Sequence, residues 1–342
     1  MPRCLPAAVP AFVGRRPELD ALSGVLHQPG GTAVVSAIGG IAGVGKTALA
    51  VHWAHQVAGE FPDGQLFVNL RGFDPSETPL APGDAVRMLL DALQVPADQL
   101  PRTVEGQLGM YRTLLAGKRM LVVLDNARDA AQLRPLLPGS PTCRVVVTSR
   151  NQLTSLAAIE AARPLALDVL TDSEARQLLQ HRLGAGRVTD DPAAAAQIIV
   201  SCARLPLALC TVAARAAIRP DVPLERVAAD LVGNPSLDAF TDGGDPAADV
   251  RAVFSWSYQQ LAPAAARAFR LGGLHPGRDL EHYSLAALTG VSAEHAGQLL
   301  DGLARVCMVQ DAGRPGMACM TCCADTHVSS PPATARGSGW LR

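Results

Sequence analysis

The chain has 342 residues, 48% of them hydrophobic and 18% charged, and its 30 basic and 31 acidic side chains give a net charge of −1. This composition allows about two or three domains, and it excludes an intrinsically disordered protein and a general electrostatic attraction to nucleic acid or to anionic membranes. Because no apolar run approaches the roughly 20 residues of a membrane span and the N-terminus lacks a signal-peptide core, we expect a cytoplasmic protein without a membrane partner.

After an N-terminal extension at residues 1–10, the chain alternates short apolar strands with helices. The predicted helices occupy 46–57, 84–93 and 104–115, and the predicted strands occupy 32–38, 66–70, 120–124, 144–148 and 163–167. Strands joined by helical crossovers form a parallel sheet that helices cover on both faces. Residues 11–168 are therefore predicted to form an α/β domain.

The pattern then changes to helices alone. Residues 169–237 are predicted to form a helical domain, with helices at 173–183, 192–204, 207–218 and 224–231. A stretch with two glycines and several acids, 238–249, is predicted to be a linker. Four more helices follow at 250–261, 263–271, 284–288 and 293–306, and residues 308–310 suit a short wing strand.

One motif predicts a nucleotide site. Gly40-Ile-Ala-Gly-Val-Gly45-Lys46-Thr47 matches G-x-x-x-x-G-K-[ST] at every specified position, and it lies between a predicted strand and a predicted helix. Glycines let the backbone turn its N–H groups toward phosphate oxygens at a helix N-terminus. Lys46 is expected to reach the β- and γ-phosphates, and the Thr47 hydroxyl is expected to ligate Mg²⁺. The residues assigned to nucleotide binding in this loop are Gly40, Gly43, Val44, Gly45, Lys46, Thr47 and Ala48.

Two strand ends are expected to complete the site. Asp125 follows the strand at 120–124 and is predicted to be the carboxylate that holds Mg²⁺. The next residue is Asn126, where many P-loop ATPases place a second acid, and an amide is a poor general base, so we expect slow hydrolysis. Arg150 follows the strand at 144–148 and is predicted either to sense the γ-phosphate or to cap the sheet edge.

Three further segments carry a family resemblance. The segment Phe12-Val-Gly-Arg15-Arg-Pro-Glu18-Leu is similar to the hhGRExE motif, although Arg16 stands where Glu is usual. Cys202-Ala-Arg-Leu-Pro206-Leu-Ala-Leu209 is similar to the G-L-P-L motif, with Arg204 in place of glycine. The segments 253–258 and 264–277 resemble a winged-helix domain. Together these segments resemble the NB-ARC branch of the STAND signalling NTPases, and in particular actinobacterial regulators akin to streptomycete antibiotic regulatory proteins.

The resemblance implies a P-loop NTPase domain followed by an all-helical domain and a winged-helix domain at residues 250–315. It implies that ATP or ADP binds with Mg²⁺, that Val13, Gly14 and Arg15 hold the adenine side, and that Pro206 packs against base and sugar. Arg150 would be the sensor arginine. Members of this family are switches, in which ADP holds a closed state and ATP opens a state that forms homo-oligomers.

A winged helix raises the alternative of DNA binding. Residues 250–315 contain six basic and five acidic side chains, whereas a module that reads a DNA groove is usually far more basic. We therefore expect no direct DNA binding from this chain.

The C-terminal segment 316–342 departs from the family pattern. A Met-His-Asp motif is expected shortly after Arg314, and the sequence has no such tripeptide. One permitted set of codons from Met317 onward, read two bases later, encodes this motif and a following helix, which suggests an out-of-frame tail. The alternative is a zinc site formed by Cys319, Cys322 and Cys323 with His327 or Cys307. We expect the segment to be disordered, because it shows no periodic apolar pattern.

The sequence favours a nucleotide-dependent switch in signalling or transcriptional control. The alternative hypothesis is an active AAA-like ATPase that remodels a protein or DNA partner, and sustained hydrolysis without a partner would distinguish it. A truncated product without function is a third hypothesis.

Overall fold

The computed structural model describes residues 1–10, 12–26, 34–73, 78–233, 249–277, 279–311 and 317–319. Five parallel strands form the central sheet: β1 (Val34–Gly40), β2 (Gly64–Asn69), β3 (Met120–Ala127), β4 (Arg144–Ser149) and β5 (Arg163–Leu167). Their order is β2-β3-β4-β1-β5. The predicted parallel sheet of an α/β domain is confirmed.

The centre of this sheet is buried on both faces. In β3, Leu121 and Val123 belong to one core cluster, whereas Val122 and Leu124 belong to the other. All four side chains are fully buried. A strand covered on both faces needs a continuous apolar run, which is why the runs at 120–124 and 144–148 predicted their strands correctly.

Helices cover the two faces. The longer ones are α1 (Arg16–Leu26), α2 (Lys46–Gln56), α3 (Pro82–Ala92) and α4 (Val104–Leu115). The first two belong to one core cluster and the last two to the other. Two short helices, α5 (Ala130–Leu133) and α6 (Thr154–Glu160), join successive strands. The sequence pattern did not predict α1, which buries Leu22 and Leu26 in the same cluster as α2.

The N-terminal extension runs along the edge of the sheet. Arg3 bridges Gln65 of β2 in parallel orientation. The Cys4 amide donates to the Gln65 carbonyl at 3.0 Å, and the Gln65 amide donates to the Pro2 carbonyl at 2.9 Å. Further on, Leu5 packs against the core cluster of α2. The first residues therefore belong structurally to the α/β layer.

Five helices follow the sheet: α7 (Asp172–Leu183), α8 (Ala185–Asp190), α9 (Pro192–Ser201), α10 (Pro206–Ile218) and α11 (Leu224–Gly233). Their buried faces join the core cluster that contains α1 and α2. The helical region is thus packed directly on one face of the α/β layer. Except for Asp249, the predicted linker 238–249 lies outside the described residues.

The C-terminal part combines four helices with a small antiparallel sheet. Its elements are α12 (Val250–Tyr258), α13 (Pro263–Gly272), β6 (Asp279–Glu281), α14 (His282–Thr289), α15 (Ala293–Arg305), β7 (Gln310–Asp311) and β8 (Met317–Cys319). The strand order is β6-β8-β7. A separate core cluster, including Phe269, Leu285 and Leu300, holds α13, α14 and α15 together.

One expectation about the tail is wrong at its start. Residues 317–319 were expected to be disordered, yet they form β8, which pairs with β6 on one side and β7 on the other. Pairing with two strands satisfies the backbone groups of this short segment, and a sequence pattern does not reveal such distant partners. The remaining tail, with Cys322, Cys323 and His327, lies outside the described residues. Cys307, the other zinc candidate, packs against the core cluster of α2.

Within the described ranges, none of the helices is long and apolar enough to cross a membrane.

Candidate nucleotide-binding site

The loop between β1 and α2 has the geometry of an anion site. Gly43 and Gly45 have φ angles of 76° and 97°, in the left-handed region that favours glycine. Gly45 is also the N-cap of α2, and no side chain caps the helix at this end. The first amides of α2 are therefore left for a ligand, and the helix dipole favours a negative one.

Lys46 lies at the centre of this loop. Its ammonium group donates to the carbonyls of Gly40 and Ile41 at 2.7 and 2.8 Å. Burial lowers the pKa of Lys46 to about 7, and the nearby positive charge of Arg150 acts in the same direction. A phosphate group next to Lys46 would oppose both effects, so the buried ammonium group favours an anionic ligand.

Asp125 lies near the end of β3 and accepts hydrogen bonds from two hydroxyl groups. One of its carboxylate oxygens, Oδ1, accepts hydrogen bonds from Thr47 at 2.7 Å and from Thr148 at 2.6 Å. The Thr148 hydroxyl in turn accepts a bond from the Asn126 amide at 2.9 Å. Thr148 thus links the Asp125 carboxylate to the backbone of β3, the strand that carries Asp125. The other carboxylate oxygen of Asp125, Oδ2, makes none of these bonds.

These oxygen donors fit Mg²⁺. Burial raises the pKa of Asp125, while the hydrogen bonds from Thr148 and Thr47 and the charge of Lys46 act against that rise. Among the described residues, no group of three or more His, Cys, Asp or Glu side chains could hold a metal ion. One carboxylate and one hydroxyl suit Mg²⁺ in particular, because this ion usually takes its remaining ligands from water and substrate phosphates.

Arg150 reaches across to the C-terminal part of the chain. Its guanidinium group donates to the Val253 carbonyl at 2.7 Å and to the Ser257 hydroxyl at 3.0 Å, both on α12. It also lies over the rings of Phe73 and Trp256, 5.3 and 5.6 Å from their centroids. The sheet-edge interpretation of Arg150 is therefore incomplete, because its side chain joins β4 to α12.

A cavity of about 530 Å³ brings most of the predicted residues together. Its polar end contains Lys46, Thr47, Asp125 and Arg150. The other predicted residues on its wall are Val13, Arg15, Gly43, Val44, Gly45, Ala48 and Pro206. Two predicted residues, Gly14 and Gly40, do not line the cavity. Both lie in the chain beside the cavity, where the backbone has positive φ angles of 70° and 152°.

The apolar end of the cavity joins three parts of the chain. Phe12 and Val13 come from the segment before α1, Leu178 from α7, and Pro206 from the first turn of α10. The amide that follows Pro206, that of Leu207, donates to the Gly43 carbonyl at 3.2 Å. The G-L-P-L-like segment is thereby bonded to the phosphate loop.

Arg15 is engaged by protein groups. Its guanidinium group donates to the carbonyls of Val44 and Asp168, at 3.3 and 2.6 Å, and to the Glu18 carboxylate at 3.2 Å. The residue is 4% exposed. Arg15 therefore fixes the phosphate loop relative to the end of β5.

Sequence reasoning missed several residues of the cavity wall. Thr148 and Asn69 stand at the ends of β4 and β2, where carboxyl ends of parallel strands meet. A polar residue directly after a buried apolar run was the available signal for both. Trp256 and Arg182 also line the cavity, but they come from helices whose position relative to the sheet no local pattern reveals.

Contacts from the C-terminal part close the same region. The Gln260 side chain donates to the Gly72 carbonyl at 3.2 Å, and the Gln310 side chain donates to the Asp168 carboxylate at 2.6 Å. Together with Arg150, these contacts hold α12 and β7 beside the cavity.

A family model for the NB-ARC domain matches residues 15–189, the region that contains the phosphate loop, β3 and α7. The chain belongs to the NB-ARC family. This NB-ARC protein is 40% identical over 316 residues to the regulatory protein AfsR of Streptomyces griseus, and 40% identical over 321 residues to that of Streptomyces coelicolor. Each alignment covers 92% of this chain and 32% of the relative, so the chain spans about a third of these relatives.

A solved structure shares the fold of this NB-ARC protein. The Walker-type ATPase PABY2304 of Pyrococcus abyssi superimposes with a TM-score of 0.61 at 13% identity, covering 95% of this chain and 96% of that chain. At this identity the likeness shows the fold alone.

Proposed function

We propose that this NB-ARC protein is a switch in signal transduction or transcriptional regulation, which binds ATP or ADP with Mg²⁺ and hydrolyses ATP slowly. The observation that carries the proposal is the position of Arg150, which lines the phosphate end of the cavity while it donates to α12. A γ-phosphate at this end would compete with Val253 and Ser257 for the same N–H groups. ATP is therefore expected to loosen α12, whereas ADP leaves the contact intact.

The remaining residues have roles that follow from their positions. The amides of the phosphate loop and the Lys46 ammonium group would hold the phosphates. Thr47 and Asp125 would hold Mg²⁺, which would offset the charge of the phosphate oxygens. Val13 and Pro206 would contact the base at the apolar end of the cavity.

Slow turnover follows from the residue after Asp125. Asn126 lines the cavity, but its carboxamide is a weak proton acceptor at neutral pH and cannot serve well as a general base for water. A switch benefits from slow hydrolysis, because the bound nucleotide then sets the conformation for a long time. The regulatory role is supported by the name of the AfsR relatives.

We assign residues 250–315 with β8 to a winged-helix domain. The element order helix, helix, strand, helix, helix, strand, strand and the three-stranded antiparallel sheet support this assignment. The C-terminal end of α15 faces the α/β layer, where the Gln152 amide donates to the Arg305 carbonyl at 3.0 Å. This contact, with the balanced charge of the domain, argues against direct DNA binding. A homo-oligomer would form in the ATP state.

The test is the nucleotide content and the turnover of the purified protein. We expect denaturation of the purified protein to release nearly one ADP per chain. We also expect ATP hydrolysis below about one turnover per minute, far under the ~10 s⁻¹ of a typical enzyme. Lys46→Ala is expected to carry no nucleotide. Lys118→Ala is the matched control, because Lys118 is the other lysine of the chain and its side chain forms an exposed ion pair with Asp63 at 3.5 Å.

Two results would contradict the proposal. Sustained hydrolysis near 10 s⁻¹ without a partner would favour an active ATPase. A wild-type protein that binds neither ATP nor ADP would exclude both functions.

A further inference from the structure

A capping box starts α7. The Thr171 hydroxyl accepts a hydrogen bond from the Glu174 amide at 3.3 Å, and the Glu174 carboxylate reaches back to Thr171. Its Oε2 accepts bonds from the Thr171 amide and hydroxyl at 2.9 and 2.8 Å. This arrangement completes a capping box with one carboxylate oxygen, which leaves the other oxygen, Oε1, for another partner.

That partner is the backbone of the segment before α1. Oε1 of Glu174 accepts a hydrogen bond from the Arg15 amide at 2.7 Å, across 159 positions of sequence. The neighbouring Gly14 has a φ angle of 70°, and a Cβ at this position would collide with the Glu174 carboxylate. Burial raises the pKa of Glu174, but the bonds from the Arg15 and Thr171 amides outweigh it, so the pKa lies below its usual value. The carboxylate is thus held in its charged form.

The same segment forms the apolar end of the cavity. Phe12 and Val13 line this end immediately before Gly14, and Leu178 and Arg182 line the cavity from α7 itself. On the other side, the Arg15 guanidinium group is bonded to the Val44 carbonyl in the phosphate loop. Residue 15 is therefore bonded to α7 through its amide and to the phosphate loop through its side chain.

We propose that Glu174 is a positioning residue that holds the Val13–Arg15 backbone and α7 together as one base-binding wall. The inference rests on the proposed nucleotide binding and adds to it a residue that acts through the base and not through the phosphates. Loss of the carboxylate releases the Arg15 amide and lets the base-binding wall separate from α7. The phosphate loop keeps its own contacts, because Leu207 still donates to Gly43 and Lys46 to Gly40.

The test compares a ligand that has a base with one that has none. Binding of ADP and of inorganic pyrophosphate, each with Mg²⁺, is measured by calorimetry on wild type and on Glu174→Ala. We expect ADP to bind about tenfold more weakly to the variant, the size of one lost charge-assisted hydrogen bond, while pyrophosphate affinity changes less than about twofold. Hydrogen exchange of the peptide containing Arg15 should become faster in the ligand-free variant.

Thr171→Ala is the matched control, because it removes the capping hydroxyl and keeps the bond that the Arg15 amide donates to Glu174. It is expected to change ADP affinity less than about twofold. If Glu174→Ala does not fold, Glu174→Gln keeps the shape and one acceptor, and a loss of about threefold for ADP alone is expected.

Equal losses for ADP and pyrophosphate, or no loss for either, would overturn the role of Glu174. A wild-type protein that binds pyrophosphate but not ADP would contradict the proposed function itself, and this inference with it.

Discussion

The Arg150 guanidinium group donates a hydrogen bond of 2.7 Å to the Val253 carbonyl, although 103 positions of sequence separate the two residues. The bond joins the carboxyl end of β4 to the middle of α12. Because Arg150 also contributes to the wall of the polar end of the cavity, a change in ligand charge at this point would act on the contact between the α/β layer and the C-terminal part.

Replacing Arg150 with alanine should release α12. The change removes two hydrogen bonds and two cation–π contacts, and we expect the contact to weaken by about 2 kcal/mol. Hydrogen exchange of peptides within 250–260 is the measurement, and it should become faster while the peptides of β3 stay protected. Arg150→Lys keeps the positive charge but not the planar guanidinium group with its several N–H donors, and it should give an intermediate exchange rate. Unchanged exchange of α12 in Arg150→Ala would refute this role.

Nucleotide affinity should fall as the pH rises above 7. In the free protein the pKa of Lys46 is about 7, so the side chain loses its proton above that pH. Phosphate binding favours the charged ammonium group and raises its pKa, so at higher pH the protein takes up a proton from the solvent when it binds a nucleotide. We expect the dissociation constant of ADP to rise about tenfold per pH unit between about pH 7.5 and 9.

Calorimetry in two buffers with different ionisation enthalpies measures this proton uptake, which should approach one per nucleotide near the upper end of that range. Lys46→Arg is the control, because a guanidinium group stays charged throughout and should remove the slope. A dissociation constant that does not vary with pH in the wild type would show that Lys46 is charged in the free protein.

Thr148 should control Mg²⁺ through Asp125. Thr148→Val keeps the shape but removes the donor to Asp125 and leaves the Asn126 amide without this acceptor. We expect a loss of about 1–3 kcal/mol in the free energy of unfolding and a weaker dependence of ADP affinity on Mg²⁺. Thr148→Ser should preserve both properties. Titration of Mg²⁺ at fixed ADP is the decisive measurement, and identical curves for the valine variant and wild type would contradict the prediction.

Arg204→Gly should stabilise the protein. Arg204 stands where the family motif has glycine, and its φ angle of 57° lies in the left-handed region that costs an L residue energy. We expect a gain of about 0.5–1 kcal/mol in the free energy of unfolding, measured with urea. Ser201→Gly, in the last turn of α9, is the control and should cost about the same amount. A destabilised Arg204→Gly would mean that the arginine side chain outweighs the backbone strain.

The geometry of the phosphate loop could be predicted because it is local in sequence. The spacing from Gly40 to Thr47 fixes both the loop and the start of α2, and the buried run before Asp125 fixes the position of the carboxylate. The partners of Arg150 and Glu174 could not be predicted in this way. The capping box of α7 is visible in the sequence as Thr171 and Glu174, but the bond to Arg15 depends on how a helix packs against a segment 159 positions away.

The antiparallel sheet shows the same limit on a smaller scale. Its strands have two or three residues each, and β8 is held by pairing on both sides. Such short segments have too few residues for a period-2 pattern to be recognised. The longer helices α13 and α15, whose apolar residues recur at helical spacing, were predicted within a residue of their observed ends.

Both borders of the five-stranded sheet are unsuitable for recruiting a strand from another molecule. Residues 2–4 already occupy the backbone hydrogen-bonding groups of Gln65 near the start of β2, and β5, at the opposite border, has Pro164 within its five residues and so lacks one donor. Association of copies through the start of β2 would have to displace the first residues of the chain. Any assembly of this protein is therefore expected to use helical surfaces, and its interface should be sought there by cross-linking.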